Sequence, residues 1–188
     1  TMLSLYYTQL AQPLFLLIAI ICIISLIRSS LDSTQQLKNT IIYILFLIIG
    51  IIFWMLFYQI YISINIFNKT AINTHFYGIT LTPQAFASLN SLFVIIIGLS
   101  VMKFWDRIAD TLKFTLGAFS VCLTFIILWL SVHLSPADNT TLISPWWVVC
   151  AYITLTFSEI CISPVGLALA TKLAPPHRNG LFLSAWFV

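Results

Sequence analysis

The sequence predicts an all-α, polytopic membrane helical bundle, and three observations carry that prediction. Of its 188 residues, 61% are hydrophobic and 7% charged, against about 25% charged in an ordinary soluble domain, and the mean hydropathy is +1.05. Apolar runs of about twenty residues recur, each long enough to cross a hydrocarbon core of about 30 Å as a helix. Lysine and arginine fall between these runs with a strong bias to alternate loops. The net charge of +3 is small and spread along the loops, so it signals topology and not nucleic-acid binding.

The first apolar run, 13–27, is fifteen residues long. That is short for a crossing, so its helix is expected to begin earlier, near Leu5 or Gln9. A polar stretch, 28–39, follows. The second run, 40–67, is interrupted only by Gly50 and carries polar and aromatic residues past its midpoint. Residues 68–82 read as a loop. Pro83 opens the third helix, which extends to about Lys103, with Thr82 as its N-cap and proline at the first helical position. The loop 103–113 is the most charged part of the chain, with Lys103, Asp106, Arg107, Asp110 and Lys113. Residues 114–132 form the fourth run and 133–143 a loop without lysine or arginine. The fifth run is 144–172; 174–179, with Pro175-Pro176, is a turn, and Gly180 begins a sixth.

Orientation follows from the cations. If Lys38 is cytoplasmic, alternate crossings put Arg28, Lys38, Lys103, Arg107, Lys113, Lys172 and Arg178 on that side, and only Lys69 outside. A seven-to-one split is a firm positive-inside signal. Trp105, Trp129, Trp146 and Trp147 fall at segment ends, where the interfacial aromatic belt accounts for them. Trp54 and Trp186 lie inside apolar runs, as pocket walls or as core packing. The chain starts at Thr1 without an initiator Met, has no basic-then-apolar leader, and stops at Val188 within an apolar segment. It is therefore read as part of a longer, transporter-sized chain.

The fifth run contains Glu159, the only glutamate in the sequence. A carboxylate near the bilayer centre costs about 2.5–3.5 kcal/mol on insertion scales, so it faces a bundle interior or a water-filled path. At helical spacing its side of the helix carries Tyr152, Thr156, Ser163, Gly166 and Ala170, with Leu155 at the edge; the opposite side carries Ile153, Phe157, Ile160 and Leu167. Pro164 removes a backbone N–H and predicts a bend just below the glutamate. Two readings fit: a titratable group on a moving helix, or a neutral acid tying a static bundle together.

In the second run Trp54, Tyr58, Tyr61 and Asn65 recur at spacings of four, three and four, which places them on one helical face. Such a stripe suits the wall of a site for a polar organic ligand, and equally an interhelical seam with bonded hydroxyls. Asn90, in the third helix, offers both donors and acceptors, as a peptide-like ligand requires, and equally serves as an interhelical tie.

Enzyme chemistry finds no support. His75, His133 and His177 lie in loops or at segment ends without metal-type spacing. Cys22, Cys122, Cys150 and Cys161 sit inside apolar runs, also without such spacing. No Gly-x-Ser-x-Gly elbow, phosphate-cradling loop or paired carboxylate appears, so no metal or cofactor is expected. Asp32, Asp106, Asp110 and Asp138 are placed in loops. Asn68-Lys69-Thr70 and Asn139-Thr140-Thr141 match the glycosylation sequon, in loops expected outside.

The stretch from Ser144-Pro145-Trp146 through Ser158-Glu159-Ile160-Cys161-Ile162-Ser163-Pro164-Val165-Gly166-Leu167 to Lys172-Leu173-Ala174-Pro175 closely resembles the tenth helix of the proton-dependent oligopeptide transporters. Phe53-Trp54 followed by Gln59 resembles that family's seventh helix, and Leu89-Asn90 with Leu92-Phe93-Val94 its eighth. Lys113-Phe114 with Gly117 resembles the start of the ninth, and Trp186-Phe187 the eleventh. Residues 1–39 are similar in position to the helical hairpin that bacterial members carry between their bundles.

The resemblance implies a major-facilitator fold of two six-helix bundles around a central site, working by alternating access and driven by inward proton flow. Residues 1–39 would be a linker helix and cytoplasmic connection. Residues 40–188 would be a partial C-terminal bundle, helices seven to ten and the start of eleven. Glu159 would lie by the substrate and take part in gating and proton coupling, Asn90 would contact the peptide, and Trp54 and Trp186 would line the pocket. One departure stands out: the family usually has a glutamate before the seventh-helix glutamine, and this chain has Tyr58 before Gln59. Either Glu159 and the first bundle then carry the proton step, or stoichiometry or substrate range differs.

The expected function is that of a fragment of a symporter in the cell (inner) membrane importing di- or tripeptides. No cofactor is expected beyond protons as coupling ion. Its expected partners are short peptides, protons, the lipid bilayer and the N-terminal bundle of the same parent chain. The alternatives are a proton-coupled carrier of another small solute, such as nitrate, a glucoside or a drug, and a non-transporting scaffold or sensor.

Overall fold

The computed structural model describes residues 2–76, 79–105, 107–135 and 142–187. Helix α1 is Met2–Arg28, α2 Thr34–Phe57, α3 Ser63–Thr70, α4 Pro83–Trp105, α5 Asp110–His133, α6 Pro145–Leu173 and α7 Asn179–Trp186. Strands β1 (His75–Phe76) and β2 (Ile79–Thr80) form a two-residue antiparallel hairpin after α3. Among the described residues, five helical stretches are long and apolar enough to cross a membrane: Ala11–Arg28, Thr34–Thr70, Pro83–Val101, Asp110–His133 and Pro145–Leu173. Many of their large apolar side chains are exposed, on α1 Leu14, Phe15, Leu16, Leu17, Ile20 and Ile21 among them. In a bilayer that exposure is to lipid, so it costs nothing. The fold is the all-α polytopic membrane bundle that composition predicts.

Helix α1 begins well before its apolar run, which supplies the length that the run lacks. The polar stretch 28–39 is not all loop: the first turns of α2 occupy it from Thr34 onward. Thr82 caps α4, its hydroxyl accepting from the Ala85 N–H at 3.3 Å, as the Thr-Pro pair predicts. The charged connection between α4 and α5 is shorter than expected, because α4 runs to Trp105 and α5 starts at Asp110. Lys113 there is buried, 3.2 Å from Asp110 and 4.9 Å above the Trp105 ring. Asp106, Asp138 and the sequon 139–141 lie outside the described residues.

The second apolar run is the main correction. It is not one helix from 40 to 67. After Phe57 the chain makes a 3-10 turn (Tyr58–Ile60), turns again at Tyr61, leaves helical geometry at Ile62 (φ −114°, ψ −89°), and restarts as α3. Tyr58, Ile60, Tyr61, Ile62 and Ile64 are aromatic or β-branched and lose side-chain freedom in a helix. The Gln59 amide also donates to the Met55 carbonyl at 3.1 Å, where the helical backbone would have its own bond. The loop after this run starts later than expected, since α3 reaches Thr70, and Asn68 is fully buried. The first sequon therefore has its asparagine inside the protein and not on an outer loop.

The chain divides into two compact units, 1–49 with 166–188, and 50–165. In the first, Leu26, Tyr43, Ala170, Phe182 and Ala185 form the core. The Tyr43 hydroxyl donates to the Phe182 carbonyl at 2.7 Å, with the rings 5.0 Å apart. Ser30 and Thr40 join their hydroxyls at 2.5 Å between α1 and α2. In the second unit α5 and α6 pack closely: a Cβ added to Gly117 would lie 2.6 Å from Ile162 Cγ1 and 2.9 Å from Cys161 Cβ. Thr124 and Thr154 link the same pair of helices at 2.9 Å.

Candidate functional site

The second unit brings together two of the sequence-predicted site residues. Asn90 Nδ2 on α4 donates to Glu159 Oε2 on α6 at 3.1 Å. The Thr156 hydroxyl reaches Asn90 Oδ1 at 2.6 Å, so the amide is held from both sides. Thr156 and Glu159 are three residues apart and share a helix face, which lets one side chain from α4 meet both. Asn90 and Glu159 are half-buried and Thr156 is fully buried. Among the described residues no cation pairs with Glu159. An amide and not a salt bridge satisfies it, which leaves the group free to exist charged or neutral without orphaning a partner charge.

The face of α6 that carries Glu159 is the packed one. Tyr152, Leu155, Thr156, Gly166 and Ala170 are buried, whereas Ile153 on the opposite side is 39% exposed. Helix α6 is assigned without interruption through Pro164. The Tyr152 hydroxyl and the Asn68 amide are buried beside one another, and among the described residues neither these groups nor Asn65 Oδ1 has a hydrogen-bond partner.

The aromatic stripe survives in part. Trp54 and Tyr58 have ring centroids 5.7 Å apart, and Tyr58 and Tyr61 6.3 Å. The three rings follow one another, although Tyr58 and Tyr61 stand in the 3-10 turn and its exit. Asn65, on α3 beyond the break, is not the end of one continuous helical face with them. Tyr58 and Tyr61 are more than half exposed, and Trp54 is half-buried. Trp186 belongs to the first unit. There its indole is buried against Gly166 of α6, in the space that a Cβ on that glycine would need.

Thr156 is the site residue that sequence reading passed over. The spacing places it on the Glu159 face, but hydroxyls in membrane helices usually bond to their own backbone, and nothing in the spacing says that this one also reaches another helix. The signal available was its i,i+3 relation to Glu159 opposite an asparagine.

An all-helical membrane bundle with an Asn–Glu pair between two of its spans and a broken apolar helix beside them defines the class: a polytopic membrane protein of transporter architecture. A model of the POT family, PTR2, matches residues 6–188, and the chain belongs to that family. Dipeptide and tripeptide permease B of Salmonella typhimurium is 28% identical over 189 residues, covering 96% of this chain and 38% of the relative. A crystal structure of peptide transporter POT in complex with sulfate matches with a TM-score of 0.82 at 30% identity, over 96% of this chain and 37% of that one. A mutant form of peptide transporter POT in complex with alafosfalin matches with the same TM-score at 31% identity, over 96% and 38%. The chain thus spans well under half the length of these proteins. Its fold is that of the POT transporters, of major-facilitator type.

Proposed function

We propose that this chain is part of a symporter that imports di- or tripeptides with protons by alternating access. The observation that carries the reading is the Asn90–Glu159 pair, a neutral amide bonded to an intramembrane acid within a POT-family bundle. Such an acid gains or loses a proton without breaking an ion pair, and a change in its charge favours one packing of α4 against α6 over another. The peptide class is supported by the permease relative and by the solved peptide transporters.

In this reading residues 1–39 are the linker helix and cytoplasmic connection. Residues 40–188 are helices seven to ten and the start of eleven, completed by the N-terminal bundle of the parent chain. Glu159 is the proton-coupling residue and contacts substrate with Asn90, while Trp54 and Tyr58 form an aromatic wall. The interruption at 58–62 supports the wall: irregular backbone within a span is tolerated where it lines water or protein, not lipid. For Trp186 the family resemblance implies a substrate-binding, pocket-lining role. The lysine- and arginine-rich loops are cytoplasmic, in the inner membrane.

The test is uptake of labelled dialanine by the purified full-length protein in proteoliposomes with an imposed inward proton gradient. Gradient-dependent accumulation is expected. Its absence, with an active control transporter alongside, sinks the peptide reading.

A further inference from the structure

The Thr156 hydroxyl lies 2.6 Å from Asn90 Oδ1 and 2.7 Å from the carbonyl oxygen of Tyr152, one turn back on α6. It has a single proton and satisfies one of these acceptors at a time. In the arrangement seen, it donates to Asn90 Oδ1, and this turns the amide so that its NH2 group faces Glu159 Oε2 at 3.1 Å. That arrangement suits an ionised carboxylate, which only accepts. A proton placed on Oε2 would set O–H against N–H, two donors facing each other.

Turning the amide over by half a rotation resolves the conflict completely. The Glu159 Oε2–H then donates to Asn90 Oδ1, Asn90 Nδ2 donates to Thr156 Oγ1, and the Thr156 hydroxyl swings to the Tyr152 carbonyl already within reach. One proton has entered at Oε2, none has left, and the three contacts that join Glu159, Asn90, Thr156 and the Tyr152 carbonyl are each still a donor facing an acceptor. No backbone movement is needed for this exchange, because both acceptors of the Thr156 hydroxyl are already at bonding distance.

We propose that Thr156 is a positioning residue that sets which end of the Asn90 amide faces Glu159 and allows the amide to invert when Glu159 takes up a proton. The inference rests on the reading of Glu159 as the proton site. Its consequence for transport is that the end of Asn90 offered to a bound peptide, donor or acceptor, follows the charge on Glu159. The other titratable groups on the surrounding elements are Tyr152, Cys150, Cys161 and Lys172 on α6, Lys103 at the end of α4, Asp110, Lys113, Cys122 and His133 on α5, Lys69 on α3, and Tyr58 and Tyr61 beside the break. Among the described residues the partner of Glu159 is Asn90, and Lys113 is paired with Asp110.

The test compares wild type, Thr156→Val and Thr156→Ser in the full-length protein by two measurements. The first, independent of transport, is infrared difference spectroscopy between acid and alkaline pH. In wild type the carboxylic-acid band of Glu159, assigned by its loss in Glu159→Gln, is expected to rise together with a shift of the Asn90 side-chain carbonyl band. Thr156→Val is expected to uncouple the two bands and to displace the midpoint of the first by about half a pH unit or more, while Thr156→Ser keeps the wild-type behaviour. The second is dialanine uptake, where the valine variant should lose roughly tenfold of proton-driven uptake, and the serine variant little.

Coupled bands that persist in Thr156→Val, an Asn90 band that never responds to pH, or a serine variant that behaves like the valine one would each overturn the proposal. Wild-type protein with coupled bands but no driven uptake would leave the inversion standing and overturn the transport reading instead.

Discussion

At the scale of the residue, the proposed proton step turns on Glu159, which a single substitution probes. Glu159→Gln keeps the size and the hydrogen bond to Asn90 but cannot gain or lose a proton. It should give a folded protein, seen as a normal monodisperse elution, with proton-driven uptake reduced at least a hundredfold, a loss of about 2.7 kcal/mol or more in coupling. Full activity would make the residue a structural tie. Tyr58, standing where the family usually carries an acid, gives the converse experiment. Tyr58→Glu should alter the pH dependence of uptake, and an unchanged profile would mean that this position no longer contributes. Glu159 and Asn90 were both legible in the sequence because lone polar residues in apolar runs are costly and so stand out. Thr156 was not, since a threonine pays little to enter a membrane helix, and its bond to Asn90 depends on how α4 docks.

At the scale of the element, the existence of the helices followed from hydropathy and the start of α4 from the Thr-Pro cap, whereas the break in the second run did not. Hydropathy averages over the residues 58–62, where Ile60 and Ile62 offset Gln59 and the two tyrosines. Side-chain crowding and the bond from the Gln59 amide to the Met55 carbonyl favour the interruption there, effects that an average cannot register. Glycines show a similar limit. Gly117 enters the sequence reading only in the resemblance to a ninth helix, but its missing side chain is what lets α5 meet Ile162 and Cys161 of α6. Gly117→Ala should cost about 1–3 kcal/mol through overpacking, read as a lower melting temperature of the detergent-purified protein. An unchanged melting curve would mean that the two helices separate easily.

At the scale of the whole molecule, orientation is the property that the alternation of loops and the distribution of charge decide together. Lys69 on α3 and Arg107 between α4 and α5 are both exposed and are expected on opposite sides of the membrane. In a cysteine-free background, Lys69→Cys should react with an impermeant maleimide in intact cells, and Arg107→Cys only after permeabilisation. Labelling of both from one side would invert or break the assigned topology.

The turn between α2 and α3 reaches further than the stripe of rings it displaces. The first N–H groups of α3 precede its internal helical bonds, and Ser63 at its start is open at the surface. Backbone protons there should trade with deuterium within minutes, amid helices whose amides hold theirs for hours. A fast-exchanging island inside a stretch of 37 apolar-rich residues would mark, on the time axis, the depth to which solvent enters this bundle.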